Sequence, residues 1–414
     1  MSIISLGKVN AKILIPILGG FIRLAYKYVI HLNPKYDILL KNPFILCLYS
    51  YIGMILAFIP LVILKLKSKK QIKDKGKSVE LIKAKDAKYL IKYEYYDIYE
   101  VKKWHKYKLI IIASLFDFIQ TLLTFIFCQN CIYNLWIFDI LFNSLFSYLI
   151  LKTKLYKHQY FSMVIIIILG FGLNIIEFFK SEGNNTIKPV EIITKFITEI
   201  FFCLNIVVNK YNMETYFSNP YEICMWEGII DFILILIVLL IFNKIGITIE
   251  NTKYPDNYYE YKKNFDNNDI SLIVLAFIVN FIYNLSILVT CDNFTPYHVL
   301  IILIIHECYY YLKADENIFL NIFGFFILSI IFFMFLFFIE VLEFNSFDIS
   351  INTKKNIGLR ADSEINLNFR KSNLSDESEE EIEEDKSISL AGVSSCDNNN
   401  QDSQTQEEKV EKID

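Results

Sequence analysis

The apolar positions of this chain form long runs, separated by short clusters of lysine, asparagine, proline or acidic residues. Most runs approach the roughly 20 residues that a helix needs to cross the hydrocarbon core of a bilayer. They predict helices at 9–30, 43–64, 109–128, 131–151, 158–178, 191–209, 221–243, 270–291, 295–312 and 318–342. The sequence therefore predicts an all-α, polytopic membrane protein with ten transmembrane helices. Polar residues interrupt the first and ninth runs, and loss of either helix would put the two termini on opposite sides.

The connections between the runs repeat along the chain. In each set of five runs the long connection follows the second run, at 66–106 and again at 244–269, and each closing run carries a glycine (Gly170 and Gly324). Because five is odd, the second set would be inverted in the membrane, as in many secondary transporters. We therefore predict a 5+5 inverted repeat, with repeats at 1–180 and 190–343 of a transmembrane domain at 1–343. The alternative is that the loop lengths coincide by chance.

Composition excludes a water-soluble enzyme, because 54% of the 414 residues are hydrophobic and 16% are aromatic. No phosphate-binding loop, dinucleotide fingerprint, zinc-protease motif or serine-hydrolase elbow occurs in the sequence. We therefore expect neither an enzyme nor a protein with a cofactor or a metal site.

The basic residues are unevenly distributed among the loops, and their distribution predicts the orientation of the helices in the membrane. The loop at 65–108 carries 15 Lys against 6 acidic residues, whereas the predicted outer loops carry few basic residues. Because basic loops stay on the cytoplasmic side, we predict that both termini are cytoplasmic, in the plasma membrane or an endomembrane. The basic loop fits anionic lipid headgroups better than nucleic acid, and its simplest reading is a solvated loop that fixes the topology. The sequon at 184–186 would then lie outside.

The tail at 344–414 has a different composition from the rest of the chain. Residues 353–414 hold 8 Lys or Arg against 16 Asp or Glu, and such a segment cannot bury enough apolar surface to order itself. We predict a disordered, acidic, cytoplasmic tail. Ser378 is followed by three acidic residues, which makes it a candidate site for an acidophilic kinase.

Polar residues inside the predicted helices are few, and several are paired at helical spacing, which puts both members on one face. They are costly in hydrocarbon unless they meet a partner or line a cavity, so they are candidates for a substrate path. The alternative is that they only hydrogen-bond neighbouring helices, at about 0.6–2 kcal/mol each. The candidates are Asp117 with Gln120, Asp139 with Asn143, Glu227 with Asp231, Asn280 with Asn284, and the single residues Glu199, Asn205 and Glu307.

Proton coupling is a further hypothesis, because buried carboxyl groups exchange protons as their surroundings change. Its candidates are Asp117, Glu199, Glu227 and Glu307, with His306 as a relay near neutral pH.

Cys128 and Cys131 form a C-x-x-C pair in a predicted outer hairpin. Without a second pair or a preceding strand, a redox or metal role has little support. A disulfide that braces the hairpin and two free thiols both remain open.

Several local strings resemble the drug/metabolite transporter superfamily, in particular its EamA-like branch that includes nucleotide-sugar-transporter-like solute carriers. They are Asn42-Pro43-Phe44, Asp117, Leu169 to Gly172, Trp226-Glu227-Gly228 and Val289-Thr290. The resemblance covers about 340 residues loosely, and it implies a ten-helix carrier that works by alternating access without a cofactor. The scarcity of glycine and alanine and the long basic loop depart from the family pattern, which leaves the substrate class open.

The sequence thus predicts a secondary-active transporter of a small organic solute, of the metabolite, drug or nucleotide-sugar class. The alternative is a membrane scaffold or receptor-like protein that does not transport and recruits partners with its acidic tail.

Overall fold

The computed structural model describes residues 4–6, 13–31, 43–64, 66, 103–127, 135–180, 189–216, 218–245, 247–249, 252–254, 267–312 and 318–344. The predicted acidic tail beyond 344, Ser378, Cys128, Cys131, the sequon at 184–186 and most of the basic loop lie outside these residues.

The described part of the chain is helical. Its ten long helices are α1 (Leu14–His31), α2 (Pro43–Ile55, continued after a two-residue turn by 58–64), α3 (Lys103–Phe127), α4 (Asp139–Ile150), α5 (Lys157–Lys180), α6 (Pro189–Thr215), α7 (Pro220–Ile245), α8 (Asn267–Asn293), α9 (Leu300–Leu312) and α10 (Ile318–Phe338). Short 3₁₀ turns, Leu135–Phe138 and Pro296–Val299, lead into α4 and α9.

Two short antiparallel strand pairs accompany the helices. Strand β1 (Ile4–Leu6) pairs with β4 (Leu342–Phe344), with Ser5 opposite Glu343. Strand β2 (Ile247–Ile249) pairs with β3 (Thr252–Tyr254). The first pair joins the segment before α1 to the segment after α10, so the two ends of the helical region meet.

A helix occupies each of the ten predicted segments, with shifted boundaries. Helix α4 begins at Asp139, later than its predicted start at 131, and α3 begins at Lys103, earlier than its predicted start at 109. The predicted loop at 65–108 is therefore wrong over 103–108. The lysines of this stretch suggested solvent, but the buried Lys106 side chain forms an ion pair inside the protein.

Five helical segments are long and apolar enough to cross a membrane. They are Cys47–Leu64, Trp104–Thr124, Lys157–Ile176, Pro220–Phe242 and Ile318–Phe338, and shorter apolar segments lie in α1, α4, α8 and α9. Large apolar side chains point outward along these helices, including Phe319 at 75% and Leu240 at 71% exposure. Such an apolar exterior around buried polar groups fits a membrane-embedded protein.

The helices pack in a defined set of pairs. Helix α6 packs on α3 and α4, α1 packs on α8 and α9, and α2 packs on α7 and α8. Helix α7 also packs on α3, and α5 packs on α10. One apolar core surrounds Phe44, Ile110 and Ile206, and the other surrounds Leu173, Ile331 and Phe338.

Candidate functional site

Three carboxyl groups meet where α3 and α7 pack together. Asp231 is fully buried and Glu227 is 3% exposed, both on one face of α7, and each is an electrostatic neighbour of Asp117 on α3. Asp117 and Asp231 lie side by side, close enough to share a proton. We call Asp117, Glu227 and Asp231 the carboxyl site.

Two asparagines of α6 hold one member of this site. Asn205 Nδ2 donates to Glu227 Oε1 at 3.1 Å and to the Ala113 carbonyl of α3 at 3.0 Å. Asn209 Nδ2 donates to the same Glu227 oxygen at 2.8 Å. These bonds tie α6 to α3 and α7, so Glu227 has a fixed position.

Asp231 has a different environment from Glu227. Apart from Asp117 beside it, neither of its carboxyl oxygens has a hydrogen-bond partner among the described residues. Tyr51, on α2, is an electrostatic neighbour of Asp231 and Asp117, and Thr121 lies beside its hydroxyl. Tyr51 is 2% exposed. Buried polar atoms are normally paired, so this spot is an exception that requires an explanation.

A second polar cluster lies where the first turn of α4 meets the second and third turns of α6. Asp139 of α4 is fully buried and neighbours Glu199 and Lys195 of α6. Lys195 Nζ lies 2.5 Å from Glu199 Oε1, so here a cation accompanies the two carboxyl groups. Cys203 Sγ donates a weak bond to the Asp139 carbonyl at 3.7 Å.

A buried polar stripe continues from this cluster along α4. Asp139, Asn143 and Ser147 are spaced four residues apart, and each is 0% exposed. Their side-chain polar atoms have no hydrogen-bond partner among the described residues. A polar stripe inside an apolar protein is the kind of surface that lines a path for a polar solute.

An ion pair links α3 and α7 at the end of the molecule where both helices begin. Lys106 Nζ lies 2.6 Å from Glu222 Oε2, with side chains 8% and 17% exposed. One turn further in, the Tyr107 and Trp226 rings meet edge to face at 5.8 Å. At the 1.5 Å rise per helical residue, Asp117 and Asp231 lie about 15 Å deeper than the Lys106–Glu222 ion pair, which is half of a ~30 Å hydrocarbon layer.

The structure brings some of the predicted residues together and not others. One site contains Asp117, Glu227, Asp231 and Asn205, and a second contains Asp139, Asn143 and Glu199. Gln120 belongs to neither and is partly buried on α3. Asn280 and Asn284 are only partly buried on α8. His306 and Glu307 are buried on α9, which packs mainly on α1 and α10, and the two side chains interact at 3.5 Å. They therefore lie apart from the carboxyl site.

Sequence reasoning missed several residues that the geometry brings in. Asn209 follows Asn205 by four residues and Lys195 precedes Glu199 by four, so the spacing rule used for other pairs would have found both. Tyr51 gave no signal, because a tyrosine in an apolar run is ordinary. Lys106 was assigned to a loop.

The described residues include no group of three or more His, Cys, Asp or Glu side chains arranged to hold a metal ion. The three acids of the carboxyl site are thus neighbours without forming a ligand set for a metal.

A comparison with models of protein families finds no match for this chain, and a comparison with curated proteins finds none either. The resemblance to the drug/metabolite transporter superfamily therefore stays a prediction, and function is argued from the site.

Proposed function

We propose that this protein is a secondary-active carrier that moves a small organic solute across a membrane by alternating access. The observation that carries the proposal is the carboxyl site, which is buried near mid-depth and formed by α3 of the first predicted repeat and α7 of the second. Intramembrane ionisable residues usually mark a substrate or ion pathway, and binding near the midplane between repeats is typical of secondary transporters.

The helix pairs support the 5+5 inverted repeat that such a carrier needs. If each helix of the first five corresponds to the helix five places later, the α3–α6 contact corresponds to α8–α1, α4–α6 to α9–α1, and α7–α3 to α2–α8. The α2–α7 and α5–α10 contacts correspond to themselves. A two-fold relation between the halves would produce these contacts, although the α9–α10 and α6–α8 contacts have no comparable counterpart in α4–α5 and α1–α3.

Local features support the same relation. A 3₁₀ turn leads into both α4 and α9. Gly170 of α5 lies against Ile137 at the start of α4, and Gly324 of α10 lies against Tyr311 of α9, with no room for a Cβ at either glycine. In each half a glycine of the closing helix thus makes a close contact, with the turn before α4 in the first half and with α9 in the second.

A flux assay tests the proposal. Purified protein is reconstituted into liposomes and screened for exchange of sugars, nucleotide sugars, amino acids and organic cations. We expect exchange of at least one class, a reduction of at least tenfold in Asp231→Asn, and no change in Ser329→Ala, whose side chain is exposed on the outside of α10.

The scaffold alternative predicts a different result. A well-folded protein that moves none of these classes, but captures a partner through its tail, would contradict the carrier proposal.

Proton coupling is tested in the same liposomes. Solute exchange whose rate does not change when a proton gradient is imposed would contradict the proton-coupling hypothesis.

A further inference from the structure

The carboxyl site is the place where buried charge is least balanced. Elsewhere in the described residues, several buried or partly buried carboxyl groups form ion pairs with basic side chains. Lys106 pairs with Glu222, Lys195 with Glu199, Lys210 with Glu214, and His158 with Glu340. Among the described residues, no Lys, Arg or His forms an ion pair with Asp117, Glu227 or Asp231.

Three carboxyl groups in an apolar interior are unstable as three anions unless something positive neutralises them. Protons can do so, and a bound cation can do so as well. An anionic solute would add to the repulsion, and a neutral solute would leave the charge as it is. The site therefore discriminates among solutes by charge, in favour of positive ones.

A second observation at the same spot points to a ligand. The oxygens of Asp231 and the hydroxyl of Tyr51 are buried near one another, and apart from Asp117 and Thr121 beside them they have no hydrogen-bond partner among the described residues. The two carboxylate oxygens and the phenol oxygen offer acceptors for the N–H groups of an ammonium or guanidinium group, and the negative charge of the carboxylates also attracts a quaternary ammonium group. Glu227, held by Asn205 and Asn209, contributes charge but is already engaged.

The chemistry also separates an organic cation from a metal ion. The carboxyl groups do not form a cluster that could hold a metal, and a small ion would require several oxygens at short, fixed distances. An amine, ammonium or guanidinium group tolerates the looser arrangement of two aspartates and a tyrosine.

We propose that the carboxyl site binds the positively charged group of an organic cation, with Asp231 and Tyr51 in direct contact and Asp117 and Glu227 supplying further negative charge. This inference rests on the proposed carrier function and narrows its substrate class to organic cations.

The test uses reconstituted full-length protein and named probes that differ in charge. The cations are choline, tetraethylammonium and arginine, the neutral probe is glucose, and the anionic probe is UDP-glucose. We expect exchange of at least one cation and of neither other probe. Asp231→Asn should reduce cation exchange at least tenfold, whereas Glu191→Gln, which removes a partly exposed acid in the first turn of α6, should leave it unchanged.

The outcomes separate the two proposals. Exchange of glucose or UDP-glucose without any cation would overturn the cation assignment and keep the carrier. No exchange of any probe by monodisperse protein would overturn both. Should Asp231→Asn fail to fold, Tyr51→Phe removes only the hydroxyl and should weaken cation exchange several-fold; exchange equal to the unmodified protein in that variant would contradict the assigned contact.

Discussion

Gly228 gives the sharpest test of how the central helices pack. It lies on α7, between Glu227 and Asp231, where α7 meets α2. A Cβ built at Gly228 would come within 2.8 Å of Met54 Cβ and 2.9 Å of both the Ile55 nitrogen and the Tyr51 carbonyl oxygen. Two of these atoms are backbone, so no side-chain rotation can relieve the clash.

The size of the effect follows from those distances. To reach ordinary contact at 3.4 Å, α2 and α7 must separate by about 0.5 Å, and overpacking of this kind costs about 1–3 kcal/mol. The shift would also carry Tyr51 away from Asp231. We therefore expect Gly228→Ala to lower both the thermal unfolding midpoint in detergent and the rate of solute exchange.

Gly172 of α5 is the matched control. A Cβ there would lie 3.9 Å from Ile327 Cδ1, an ordinary contact, and alanine favours a helix over glycine by up to about 1 kcal/mol. Gly172→Ala should therefore be neutral or slightly stabilising by size-exclusion thermostability. If Gly228→Ala unfolds at the same temperature as Gly172→Ala, the close α2–α7 contact is wrong.

Three further predictions concern the ion pair, the amide bonds and the topology. Lys106→Met should destabilise the fold by about 2 kcal/mol, because it leaves the partly buried Glu222 without its partner. Replacing both residues by methionine should recover most of this loss, and additive effects in the double-mutant cycle would contradict a direct pair. Asn209→Leu should cost about 2 kcal/mol in thermal stability through loss of a hydrogen bond to a carboxyl group, and unchanged stability would mean that this bond does not form. An epitope tag after Asp414 should be reached by antibody only in permeabilised cells, whereas a glycan at Asn184 would be added on the opposite side; a tag that reports from the outside would reverse the topology.

The helices could be predicted from the sequence because their signal is local. A run of apolar residues long enough to span hydrocarbon nearly always forms a helix, since every backbone group must be satisfied within the segment. Helix ends were less predictable at α3, where lysines suggested solvent. The partner that keeps Lys106 buried, Glu222, lies 116 residues away, so a local pattern could not reveal it.

The site was predictable in part for the same reason. The spacing of Glu227 and Asp231 shows that they share a face of one helix, but not which helix that face meets. Contact with Asp117 and with Tyr51 depends on how α2, α3 and α7 pack, which is not local. By contrast, Asn280 and Asn284 have the same spacing and lie outside the buried cluster, so spacing alone does not identify a path.

The most direct test of alternating access is chemical labelling at Asn143, near the middle of α4. Asn143 is 0% exposed, and its amide atoms have no partner among the described residues. In a background where the native cysteines are replaced, Asn143→Cys should react with a membrane-impermeant thiol reagent added from either side, and transported solute should slow the reaction. Ser329→Cys, at similar depth but on the outside of α10, should not react. Labelling of position 143 from one side only, or from neither, would contradict a path that opens alternately to both sides.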